Sequence, residues 1–214
     1  MSIIYPFLCV ILPCLIYQII AIKQGDLKEK IYLVPHLIWV YIFLIYIYLA
    51  LSVAGIGSIW DIDQYSEIIR LEEINLILFN SDGILTYILN IIMFMPLGFL
   101  LPLIWERFRN HIRVFLTGVG FSLAIEICQL FNHRATDIDD LMMNSLGAVL
   151  GYFIWVFVSK LFNSINKEIA FISKNEDTMD TYTTISISKN EAIMYLILSV
   201  LGEFFLYNWY LFLN

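Results

Sequence analysis

Charge is scarce in this chain. Asp, Glu, Lys and Arg supply 14% of its 214 residues, apolar types supply 60%, and the mean hydropathy is +0.80. Soluble domains carry about 25% charged residues, so an ordinary water-soluble fold is excluded. Basic residues are the scarcer sign, with 12 against 19 acids and a net charge of −7. No basic face on a soluble domain is available, so a nucleic-acid partner is not expected. A contiguous polybasic lipid motif and a calmodulin-like segment are missing as well. Cysteine is limited to Cys9, Cys14 and Cys128, all inside apolar runs. They form no disulfide framework, metal spacing or lipobox and read as small buried hydrophobes. No Ser/His/Asp or Cys/His spacing for nucleophilic catalysis occurs. Internal repeats are also lacking, which counts against a transporter built on inverted repeats.

What the chain does have is long apolar runs, at residues 3–22, 31–55, 84–105, 114–131, 141–162 and 192–213. Each is near the ~20 residues a helix needs to cross a ~30 Å hydrocarbon core. The expected fold is all-α, a polytopic transmembrane bundle of about six spans forming a single membrane domain over residues 1–214. The first run reads as an anchor and not as a cleaved signal. It lacks a basic leading region and a small-residue cleavage site, and it ends in Lys23, Lys28 and Lys30. Alternating the loops puts all basic residues on one side except Arg70 and Arg134. By the positive-inside rule both termini are expected to be extracytoplasmic.

Two segments stand outside this pattern. The stretch 60–79 mixes Trp60, Tyr65, Ile68, Ile69 and Leu71 with acids. It reads either as an amphipathic piece in the headgroup layer that roofs a site or as an ordinary loop. Residues 163–190, rich in Ser, Thr, Asn and charge, read as a flexible cytoplasmic linker.

The chemistry concentrates between Glu126 and Gly151. Glu126 and Gln129 lie in the fourth run, Arg134, Asp137, Asp139 and Asp140 in the turn, and Asn144, Gly147 and Gly151 in the fifth. At ~1.5 Å per residue, Asn90 sits ~9 Å, Glu126 ~7–8 Å and Asn144 ~5 Å below the outer ends of their spans. Three helices thus place polar groups at one level. Gly118, Ser122, Glu126 and Gln129 share a helical stripe, as do Asp137, Asp140, Asn144, Gly147 and Gly151, with Asp139 off it. An acid inside a span costs ~2.5–3.5 kcal/mol at the centre and less near the edge. Packing glue would be served by Gln, so Glu126 reads as functional or as the partner of Arg134 in a structural ion pair. Asn90, Glu126, Gln129, Arg134, Asp137, Asp140 and Asn144 form the expected ligand-binding set; a catalytic residue is not identified. Four carboxylates allow a divalent cation, but a solvated acidic turn accounts for the aspartates, and neither metal nor cofactor is expected. Glu203, beside Gly202 in the sixth run, reads as a lone buried acid or part of a relay.

The segment Asn90-Ile91-Ile92-Met93-Phe94-Met95-Pro96-Leu97-Gly98 and the hairpin from Glu126 to Gly151 resemble the two signatures of the VanZ-like family. The resemblance covers residues 84–155. It implies a multi-pass protein of the bacterial cytoplasmic membrane and cell envelope; the founding member is associated with resistance to teicoplanin, an acylated glycopeptide. The expected function is binding of an amphipathic partner at an outer-leaflet polar site. The candidates are a membrane lipid, a lipid-linked cell-wall component or a lipoglycopeptide antibiotic, with a contribution to teicoplanin-type resistance. An intramembrane enzyme acting on a lipid headgroup, or a transporter or flippase, are the alternatives.

Overall fold

A computed structural model describes residues 4–24, 33–64, 74–75, 77–79, 83–132, 136–172 and 186–208. Six helices make up the described chain: α1 Ile4–Gln24, α2 Leu33–Ala54, α3 Ile84–Ile104, α4 His111–Gln129, α5 Ile138–Ile172 and α6 Glu191–Leu206. The first five are long and apolar enough to cross a membrane. α6 has 16 residues, about 24 Å of helix, and ends before the expected boundary at 213. Among the described residues the one extended element is a two-residue parallel pairing of Ile74–Asn75 with Thr136–Asp137. The protein is therefore a helical membrane bundle.

Each helix buries one narrow face and offers the rest to lipid. In α2, Val40, Phe43, Leu44, Ile47 and Leu51 are buried, while Ile38, Trp39, Ile42, Ile45 and Leu49 are exposed. With lipid as apolar as the helices, close packing must hold the bundle together. Small residues provide it between α3 and α5. A Cβ on Gly147 would stand 2.3 Å from the Ile91 carbonyl oxygen, and one on Gly151 would stand 2.0 Å from that of Met95. Gly98 meets Ala148 from the other side. α1 and α6 form a second pair, where Gly202 lies against the Cys9 carbonyl and Cys14 Sγ is 3.4 Å from Ser199 Oγ. All three cysteines are free and buried, and α3 continues through Pro96 and Pro102.

Helix ends explain most departures from the expected spans. α2 stops at Gly55, whose φ of 63° lies in the left-handed region, and its N–H returns to the Leu51 carbonyl at 2.9 Å. That turn suits glycine and strains other residues. Gly55→Ala is expected to cost about 1 kcal/mol, read as a lower midpoint of thermal unfolding in detergent; an unchanged midpoint refutes it. Asn110 caps α4 by accepting from the Ile112 N–H at 2.9 Å, so α4 begins three residues before the apolar run does. α5 also begins early, with Asp139 and Asp140 in its first turn, where carboxylates complement the helix dipole. It ends late, overlapping the expected linker as far as Ile172. The middle of that linker, 173–185, lies outside the described residues, as does the centre of the outer loop, 65–73.

Candidate functional site

The first turns of α5 assemble the polar cluster. Asp137, immediately before the helix, accepts from the Asp139 N–H at 2.9 Å through Oδ1, the bond by which an N-cap side chain satisfies an orphan helix donor. Its Oδ2 accepts from Asn75 Nδ2 at 3.3 Å, and its own N–H donates to Glu126 Oε2 at 3.3 Å. Asp137 therefore joins α4, α5 and the outer loop. Asp140 faces α3 and accepts from Asn90 Nδ2. One turn deeper, Asn144 Nδ2 donates to Ser122 Oγ of α4 at 2.9 Å. Residues of α3, α4 and α5 are thus brought together at one end of the bundle, with Glu126 and Asn144 only 4% and 3% exposed.

Two expected members of the site are not seen in this cluster's hydrogen bonds among the described residues. Arg134 falls outside the described residues. Gln129 serves α2: its Nε2 donates to the Ala54 carbonyl at 2.8 Å, and Asn132 Nδ2 donates likewise to that of Gly55. Terminal carbonyls of α2 would otherwise go unsatisfied in an apolar setting. The shared stripe with Glu126 put Gln129 in the expected set; the arrival of the α2 terminus beside α4 gives its amide nitrogen a partner there.

Asp139 is the group the spacing undervalued. It is fully buried and accepts from the Phe79 N–H at 2.8 Å and from Tyr87 Oη at 2.8 Å. Lying off the polar stripe puts it against the outer loop and α3, so it fastens residues 77–79 across the start of α5. Tyr87 precedes Asn90 by three positions and shares its helix face. That was the available signal for it. Glu203 is buried on α6, and its Oε2 has no hydrogen-bond partner.

The cluster offers hydrogen-bond acceptors more than donors. Asn144 Oδ1 is buried without a hydrogen-bond partner, and such a group costs about 1–3 kcal/mol. Among the described residues no group of three or more His, Cys, Asp and Glu side chains is arranged to hold a metal ion. Beside the cluster, a groove of about 540 Å³ runs between α4 and α5. Phe115, Val119, Ile138, Leu141 and Leu146 line it, with Leu78 of the outer loop at its edge. The groove occupies the neighbouring face of the same helical turns that carry Asp137, Asp140 and Asn144.

Comparison with known proteins gives one finding. The VanZ/LLP1 family model matches residues 39–163, which takes in α3, α4, the polar turn and most of α5. No similar curated protein and no similar solved structure was found.

Proposed function

Because the chain belongs to the VanZ/LLP1 family, we propose that it binds an amphipathic molecule of the bacterial envelope at the cluster around Glu126, Asp140 and Asn144. The observation that carries this reading is the unpartnered Asn144 carbonyl oxygen. It lies among polar groups from three helices and calls for a donor such as a ligand hydroxyl or amine. The adjoining apolar groove supports a ligand that also has an acyl chain. Arg134, two residues before the cluster's own pairing strand, would meet anionic groups on the same ligand. A lipid-linked cell-wall component or a lipoglycopeptide of the teicoplanin type combines these features. Asn90, Gln129 and Asp137 would then orient the site more than touch the ligand.

The membrane in question is the bacterial cytoplasmic membrane, and the cluster opens to its outer side with both termini outward. Support comes from the charge pattern. Lys23, Arg107, Arg109, Arg113 and Lys189 lie at or beside helix ends remote from Glu126, as expected for a cytoplasmic side.

Glu126→Gln tests the function cleanly, since Gln still offers an acceptor to the Asp137 N–H while losing its charge. This variant and Arg134→Ala are each expected to abolish tolerance to an acylated glycopeptide at unchanged protein level. Wild-type tolerance in both variants would sink the proposal.

A further inference from the structure

The bundle has a second buried polar centre, at the end remote from Glu126. Glu191, the first residue of α6, is 1% exposed. Its carboxylate lies 3.0 Å from His36 Nε2 and accepts from Trp105 Nε1, Ser186 Oγ and the Ile187 N–H, each at 3.0 Å. The carboxylate is thus met by groups from α2, the residue after α3 and the approach to α6. Above this floor lies a cavity of about 520 Å³. Trp105, Phe108 and Ala192 form apolar walls, and Arg107, Arg113 and Lys189 stand exposed around it.

The three cations come from the α3–α4 turn, the start of α4 and the turn before α6. Arg107 and Arg113 are close in the chain, and the fold brings Lys189 to them. Arg107 Nη1 donates to the Lys189 carbonyl at 3.0 Å and to Asn190 Oδ1, and Arg113 Nη1 donates to the Arg107 carbonyl at 2.9 Å. Each guanidinium is held in place through one nitrogen and keeps further donors in its planar fork. Glu106, the other acid at the rim, is exposed and lies 3.8 Å from Arg109.

A second observation points the same way. Asn190 is the N-cap of α6, yet its side chain makes no capping bond and accepts from Arg107 instead. The first-turn N–H groups of a 16-residue helix therefore lack the usual side-chain acceptor beside a cation-rimmed cavity. Glu191 already stands in this first turn, so the exposed cations at the rim are the groups left to meet a further anion.

We propose that this cavity binds a phosphate group, that of a net-negative phospholipid in the leaflet remote from Glu126. Arg107 and Arg113 supply the paired donors, and Lys189 supplies a point charge. Basic pockets between helices on a cytoplasmic face suit such headgroups. This inference does not depend on the amphiphile reading of the other end.

Native mass spectrometry of the full chain, released from bilayers of phosphatidylglycerol and phosphatidylcholine, tests it. Wild type is expected to retain phosphatidylglycerol adducts over phosphatidylcholine, with occupancy falling about fivefold for each basic residue removed in R107Q/R113Q. Lys189→Gln, whose side chain makes no bond among the described residues, keeps the test valid should the double variant misfold. Glu126→Gln is expected to retain the adduct, which separates this site from the first. Stripping of the adduct by excess inorganic phosphate would support the same anion chemistry from a soluble source, whereas persistence would point to the lipid. Equal retention of the two lipids, or undiminished phosphatidylglycerol in both variants, would overturn the proposal.

Discussion

Gly98→Ala is expected to leave little folded protein in the membrane, while Gly120→Ala is expected to behave as wild type. A Cβ at position 98 would stand 1.8 Å from the Ala148 carbonyl oxygen and 2.6 Å from its carbon; at position 120 nothing lies within 4 Å. Overpacking costs about 1–3 kcal/mol when side chains can yield. Here the obstacle is the backbone of α5, so relief requires the two helices to separate. That motion also withdraws the Gly147 and Gly151 contacts and pulls Asn90 from Asp140. A loss of at least ~3 kcal/mol is expected, a large share of the ~5–15 kcal/mol that keeps a typical protein folded. Folded yield and thermal midpoint by size-exclusion chromatography in mild detergent read the effect directly. A Gly98→Ala protein with wild-type yield and midpoint would contradict the close α3–α5 register.

Glu191→Ala is the second substitution with a large expected effect. Four groups gather on this carboxylate, and its removal leaves the buried His36 and Trp105 without that acceptor, while Ser186 keeps its bond to the Ser188 carbonyl. Each buried donor left without its acceptor costs about 1–3 kcal/mol, so the loss for His36 and Trp105 together is expected at roughly 2–6 kcal/mol. Glu191→Gln keeps one oxygen for these donors, and the expected loss falls to about 1–3 kcal/mol. The graded order, wild type above Gln above Ala, distinguishes a hydrogen-bonded hub from a simple space-filling role. A cycle with His36→Leu isolates the pair: the double variant is expected to lose less than the sum of the singles by about 0.5–3 kcal/mol. Strict additivity in unfolding measurements would mean that His36 and Glu191 do not depend on one another.

The two centres were not equally legible beforehand. Asn90, Glu126 and Asn144 announced themselves because a polar residue inside a long apolar run is conspicuous, and helical spacing fixed which of them share a face. Glu191 gave no such signal. It precedes an apolar run at a polar boundary, and its partners His36 and Trp105 are 155 and 86 positions away. Gln129 shows what a single helix leaves out: its face follows from α4 alone, whereas its bond to the C-terminus of α2 depends on where that helix ends in space. Helix boundaries slipped for a related reason. Hydropathy locates where lipid is tolerated, whereas Asn110, Asp137 and Gly55 locate where backbone hydrogen bonding starts and stops.

By itself the sequence determined that the chain is a membrane-spanning helical bundle, that helices three to five carry inward polar groups, and that Gly147 and Gly151 permit a close neighbour. These follow from composition and from the 3.6-residue period, which need no knowledge of distant contacts. Only the tertiary structure decided that the neighbour is α3, that Asp139 ties down the outer loop, and that separate short segments form a cationic pocket around α6. Those facts depend on which helix ends meet in space. A local pattern cannot encode that, because in lipid every apolar face is equally welcome until small residues and paired polar groups select its partner.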